Sequence, residues 1–228
     1  MRAEELLEEL AWDLPRVTAI IGGGGKTTLL HALGEVLAQK GRKVALTTTT
    51  HFGPDGRALS PASPAEVNAA LRPGLPLLCA YPQGHRMTGL PVEWYPDLEC
   101  DHILVEADGS RCRPLKVHRT FEPVLPPDTG LLLQVAGLSA LDRPVGECVH
   151  CWETAGLSPV QPVDEKLMAA LLLRGFDHTG FDGRKLAILN QADNLQLRQR
   201  GEIAAKYLKG MGAEARVTAL KEGATCSF

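Results

Sequence analysis

Val17-Thr-Ala-Ile-Ile-Gly-Gly-Gly-Gly-Lys-Thr-Thr28 decides the reading of this chain. An apolar, β-branched run meets four glycines, a lysine and two threonines, the order of a strand, a tight turn and the start of a helix. Backbone N–H groups can close around phosphate oxygens only where no Cβ obstructs the approach, and Gly22, Gly23, Gly24 and Gly25 meet that demand. Lys26 can then bring positive charge to the terminal phosphates and Thr27 can offer its hydroxyl to Mg²⁺. Thr28 follows in a helix whose N-terminal end favours the same anion.

The spacing departs from G-x-x-x-x-G-K-[ST], because Ile20 stands where that pattern has its first glycine. The shorter G-x-x-G-K-T-T resembles the loop of the Mur ligase and folylpolyglutamate synthase group.

The 228 residues predict one nucleotide-binding domain over 1–228, opened by a short helix within 1–14 where Leu6, Leu7 and Leu10 share a face beside acidic neighbours. That helix is expected on the sheet edge. Hydrophobic residues make up 44% and charged residues 22%, the balance of an ordinary soluble protein, and the formal net charge of −3 argues against a nucleic-acid partner. With no apolar run of membrane-crossing length and no apolar signal core after Met1-Arg-Ala-Glu-Glu5, a cytoplasmic protein with no membrane partner is expected. Six scattered cysteines do not make a disulfide framework.

A second strand, Lys43 to Thr48, runs into Thr47-Thr-Thr-Thr50-His51. In a parallel sheet its C-terminal end lies beside the phosphate loop, so these hydroxyls, Thr49 among them, can meet Mg²⁺ or phosphate; β-propensity and capping would equally place threonines there. A helix over 64–71 follows Ser63, then a strand over Leu75–Tyr81, then a loop over 82–100 with one helical turn.

His102-Ile-Leu-Val-Glu-Ala-Asp-Gly-Ser110 is the second chemical landmark. Its apolar run delivers Glu106 and Asp108 to a strand end, where an acid can hold Mg²⁺ directly or through water, and Gly109 completes a [DE]-x-x-G pattern whose glycine N–H can reach a terminal phosphate. Residues 111–128 are too rich in proline for a regular element. This basic loop should lie over the phosphate site, so Arg111, Arg113 and Lys116 can bind an anionic substrate or stabilise transition-state charge.

Beyond a strand over 131–135, Cys148-Val-His-Cys151 has C-x-x-C spacing but no second ligand pair, which argues against a closed zinc site. A helix runs from Asp164 to about Arg174. The strand Lys185–Asn190 then ends in Asn190-Gln-Ala-Asp193, where N-x-x-D is the spacing that grips guanine; Asp193 is also placed to cap the helix Leu195–Leu208. A last strand over 215–219 leads to Leu220-Lys-Glu-Gly223, a loop that can close over a base.

Together these landmarks resemble the YqeC family, accessory proteins of selenium-dependent molybdenum hydroxylases. The match rests on Gly22–Thr28, Thr47–His51, Val105–Ser110, Arg113-Pro-Leu-Lys116, Glu122-Pro123, His150 with Glu153, and Leu189–Asp193. Gln191 and Cys151 depart from the family's N-K-x-D and H-R-x-E. The resemblance implies a nucleotide-driven maturation factor that serves a molybdenum hydroxylase or its cofactor-assembly proteins.

The residues themselves point to Mg²⁺ with GTP or ATP. They leave open an NTPase, an ATP-dependent ligase or kinase acting on a small anionic substrate, and a nucleotide-gated binding module without turnover. The expected fold is α/β, P-loop NTPase-like, with a mostly parallel sheet and helices on both faces.

Overall fold

The structure is a computed structural model that describes residues 1–220. Seven strands form its main sheet: β1 (Val17–Gly22), β2 (Val44–Thr48), β3 (Leu77–Leu78), β4 (His102–Glu106), β5 (Leu131–Gly137), β6 (Arg184–Asn190) and β7 (Ala215–Val217). Their order is β7-β6-β5-β1-β4-β2-β3, and every neighbouring pair is parallel. From β1 the chain builds β2, β3 and β4 on one side, then crosses to build β5, β6 and β7 on the other. The order thus reverses beside β1, and ligands in open α/β sheets bind in the crevice at such a reversal, outside the carboxyl ends of the strands.

The central strands are buried along their whole length, as parallel strands covered on both faces must be. Alternation then sorts their side chains. Ile20, Leu104, Leu133 and Ile188 face the helices α1 (Ala3–Trp12) and α2 (Lys26–Gln39), meeting Leu6, Leu10, Leu29 and Leu33. On the other face, Ala19, Ile21, Leu132 and Leu189 meet α4 (Glu165–His178) and α5 (Leu195–Gly210). Val17, Ala45, Ile103 and Val105 meet α3 (Pro64–Ala70) and the 3₁₀ helix Val92–Asp97.

Helix α1 lies on a sheet face beside α2, not on the sheet edge, because its three leucines find a larger apolar surface there. The expected strand over 75–81 contracts to β3. After Leu78 the chain turns to Leu59, with Leu59 N–H donating to Leu78 O and Ala80 N–H to Leu59 O. Tyr81 and residues 82–88, the latter expected as loop, then form a hairpin, Tyr81–Gln83 with Arg86–Thr88, and His51–Phe52 pairs on Met87–Thr88.

Helix α4 outruns its expected end at Arg174 by one turn. Gly175 remains helical because it packs on β5, where a Cβ would lie 2.2 Å from Gln134 Nε2. Within the expected loop 111–128, Leu115–Lys116 pairs in parallel with Val149–His150. The expected loop over 220–223 lies, after Leu220, outside the described residues. No helix among the described residues is long and apolar enough to cross a membrane.

Candidate functional site

The turn between β1 and α2 stands at the sheet reversal, and each of its glycines is enclosed. A Cβ on Gly22 would lie 2.2 Å from Val135 O, on Gly23 2.4 Å from Arg113 O, on Gly24 2.3 Å from Gly137 N and on Gly25 2.5 Å from Asn190 Nδ2. Gly22, Gly24 and Gly25 also have φ of 98°, 71° and 120°, which L side chains rarely adopt. Gly22 N–H donates to Asp108 Oδ2 at 2.9 Å and Gly23 N–H to Val135 O at 2.9 Å. Among the described residues, the following N–H groups, from Gly24 to Thr28, have no acceptor. A run of free amides at a helix N-terminus is an anion receptor.

Lys26, Glu106 and Asp108 meet beneath this turn. The buried Lys26 Nζ donates to Gly22 O at 2.7 Å and lies 3.3 Å from Asp108 Oδ1 and 3.6 Å from Glu106 Oε1. Thr27 Oγ1 donates to Glu106 Oε2 at 2.8 Å. Burial works against the Lys26 ammonium, but Asp108 and Glu106 outweigh it and hold its pKa above the ordinary value. Burial pushes the Glu106 carboxyl up, against Lys26 and Thr27. Burial acts on Asp108 in the same direction, yet Lys26, His118 and Lys116 reverse the outcome and hold it well below the usual carboxylate range.

Asp108 is the centre of a wider buried network. Its Oδ2 lies 2.7 Å from His118 Nε2 and 3.5 Å from Lys116 Nζ. Lys116 donates to Gly109 O at 2.6 Å and pairs with Glu122 at 2.8 Å. The His118 ring stacks on His178 of α4, whose Nε2 lies 2.9 Å from both Arg119 O and Glu122 O. The 111–128 segment does lie against the phosphate-loop turn, since Arg113 O and Pro114 cover Gly23. Its Lys116 side chain is fully buried, and Arg113 Nη1 donates to Val149 O at 2.6 Å, tying the segment to the Val149–His150 strand. His118 is the residue sequence reasoning missed. It sits in an irregular stretch with no periodicity to place it, and its partner is ten residues away.

Thr47 and Thr48, at the end of β2, and Thr49, directly after it, are all engaged. Thr47 Oγ1 accepts from Leu90 N–H, Thr48 donates to Glu106 O, and Thr49 donates to Val124 O, so each closes a loop around the site's rim. At the far side Asn190 is a clamp: its Nδ2 donates to Gly24 O at 2.8 Å and its Oδ1 accepts from Leu220 N–H at 2.8 Å. Gln191, at φ 67°, accepts from Ser139 Oγ. The capping role expected for Asp193 falls instead to Asn194, whose side chain accepts from Leu197 N–H because it stands at the extended residue directly before the helix. Asp193 is exposed.

Cys148 and Cys151 are buried free thiols. Cys148 Sγ lies 3.2 Å from Pro144 O, and burial raises its pKa. Among the described residues no group of three or more His, Cys, Asp and Glu side chains is arranged to hold a metal ion. A cation that keeps most of its waters and takes one or two protein oxygens plus phosphate needs no such cage, and the Thr27–Glu106 oxygen pair at the mouth of the free amides has that chemistry.

The sheet order, the glycine turn and the acid-bearing strand define an α/β protein with a phosphate-loop-like strand-turn-helix. A model of the YqeC protein family matches residues 18–153. "Uncharacterized protein YqeC" of Escherichia coli (strain K12) is 37% identical over 161 residues. That match covers 64% of this chain and 62% of the relative, so the alignment spans less than two thirds of the relative's length. The chain belongs to the YqeC family.

Proposed function

We propose that this protein binds a nucleoside triphosphate with Mg²⁺ at the β1–α2 turn and hydrolyses it as an accessory factor in maturation of a selenium-dependent molybdenum hydroxylase or its cofactor. The observation that carries the nucleotide reading is the run of free amides from Gly24 to Thr28, on a turn where no Cβ fits and with Lys26 at its base. Phosphate oxygens would take those N–H groups, and Lys26 would exchange Asp108 and Glu106 for the terminal phosphates. Thr27 and Glu106 would hold the Mg²⁺, which supplies charge neutralisation to the phosphates when bound. Asp108 anchors the glycine turn through Gly22 N–H, and its Oδ1, paired at 3.3 Å with Lys26 Nζ, would be released if Lys26 moved to the phosphates and could then accept from a water of the Mg²⁺ shell. Gly109 N–H would face the terminal phosphate.

The accessory role rests on family resemblance alone. Base choice rests on Asn190 and Asp193. Freed from capping, Asp193 can accept from guanine N1–H and the exocyclic amine, a pairing adenine cannot reproduce. GTP should therefore bind more tightly than ATP.

Product analysis with labelled GTP and ATP tests the activity. Free phosphate that requires Mg²⁺ supports hydrolysis. A phosphorylated or amide-linked product would establish a kinase or ligase, and binding without product would establish a nucleotide-gated module.

A further inference from the structure

Lys116 and His150 are register partners in the small parallel sheet formed by Leu115–Lys116 and Val149–His150. Paired residues of neighbouring strands leave the same face. The opposite face carries Leu115 and Val149 into the apolar core, so His150 lies on the face from which Lys116 reaches Gly109 O, Asp108 and Glu122. That face adjoins the end of the acid-bearing segment and the Arg113-Pro114 cover of the glycine turn. His150 is half-buried, and its ring has no hydrogen-bond partner among the described residues. Arg111, at φ 50°, and Arg119, held by the backbone bond to His178, are both exposed on the same 109–122 wrap.

We infer that His150, Arg111 and Arg119 form a second subsite beside the glycine turn, for the oxyanion group of a small second substrate, a phosphate or a carboxylate. The electrostatics have the matching sign. The His150 pKa is lowered by burial first, then by Lys116 and Arg111, with Arg119 adding and Glu122 opposing. Positive charge thus surrounds an imidazole that an anion would turn into a further donor. Within the basic loop Lys116 and Arg113 are engaged inside the protein, whereas Arg111 and Arg119 are exposed, the Arg119 guanidinium lying 5.9 Å over the Phe121 ring, and His150 is half-buried. The subsite deepens the nucleotide reading, in which this anion would be the group that meets the terminal phosphate, and no bond-forming step is assigned to it.

The test uses the full chain with ¹⁵N-labelled histidines, His150 being assigned with His150→Gln. Inorganic phosphate and, separately, acetate are titrated at constant ionic strength set with sodium chloride. The expected result is a saturable rise in the His150 pKa of about half a unit or more with at least one of the two anions. Arg119→Gln should raise the midpoint concentration about fivefold or more, the order expected for loss of one charge-assisted contact, with nucleotide affinity unchanged. Which anion saturates identifies the group. No response to either anion, a response that rises without saturation, or a midpoint indifferent to Arg119→Gln would mean an adventitious ion only and overturns the subsite. Lys26→Ala keeps the two readings separate. If it abolishes the His150 response, phosphate is occupying the glycine turn and the subsite falls. If His150 responds normally while nucleotide never binds, the subsite stands and the nucleotide reading falls.

Discussion

Glu106 ends β4 and Asp108 follows it two residues later, yet the two sides of the site they serve are built differently. On the Glu106 side a carboxylate meets one hydroxyl and one distant ammonium, and burial leaves it poorly disposed to ionise. On the Asp108 side a backbone amide, an imidazole and two lysines converge on a single carboxylate, which stays ionised to low pH. Environments that push two acids apart assign them different work. Glu106 is under-neutralised and is the acid that would take a cation under the proposed function, whereas Asp108 already holds the glycine turn, the 109–122 segment and α4 together.

The largest expected effect follows from breaking the Asp108 side. Asp108→Asn leaves Lys116 and His118 buried without their shared partner, and loss of one member of a buried ionic cluster destabilises by roughly 3–5 kcal/mol. Urea unfolding should show that loss, and a change below about 1 kcal/mol would mean that the cluster does not anchor the fold. Glu106→Gln should act in the opposite direction. The folded-state pKa of Glu106 is raised, so its ionised form disfavours folding above that pKa, and the disfavour disappears once pH falls below the ordinary glutamate value. The variant should therefore be more stable than wild type at pH 8 and equal to it near pH 3, while losing about tenfold in Mg²⁺-dependent nucleotide affinity. A destabilised Glu106→Gln at pH 8 would erase the contrast.

Acid titration sharpens the same comparison. The depressed Asp108 pKa contributes stability that is fully present above the ordinary aspartate value and is lost as pH falls through the folded value. Wild type should weaken progressively below about pH 4, and Asp108→Asn should show a flatter acid limb. The smallest effect belongs to the exposed rim. Asp193→Asn should leave stability within about 0.5 kcal/mol, since Asn194 and not Asp193 caps α5, yet shift selectivity from guanine toward xanthine. A GTP preference untouched by this change would remove Asp193 from the base site.

What the sequence showed and hid follows the same division. The β1–α2 turn was legible because its requirements are local: positive φ, close backbone approach and a helix start are written in consecutive residues. The acid-bearing end of β4 was legible for the same reason. The Asp108 network was not, because Lys116, His118 and His178 come from an irregular loop and a helix whose approach only the folded sheet determines. Lys116 was expected over the phosphate site to meet an anion, and the fold instead buries its ammonium against Asp108, Glu122 and Gly109 O. Gly175 read as a helix end until its contact with Gln134 gave it a packing reason to stay. Asp193 was the expected cap, and the role falls to Asn194 because backbone position, which the sequence does not give, puts the extended residue directly before the helix there.

Central to the account is that Lys26 leaves Asp108 and Glu106 for phosphate. Because Lys26 is buried against both acids rather than exposed on a loop, Lys26→Ala should also lower apo stability, by about 1–3 kcal/mol, so its folding is checked first by urea unfolding. The decisive measurement is titration of fluorescent GTP and ATP, with Mg²⁺ present, into folded wild type and folded Lys26→Ala. The account predicts saturable binding by wild type and affinity reduced about 100-fold or more in the variant, the scale of losing a buried charge-assisted contact. Equal affinity in the two proteins, or no binding by wild type, would contradict it.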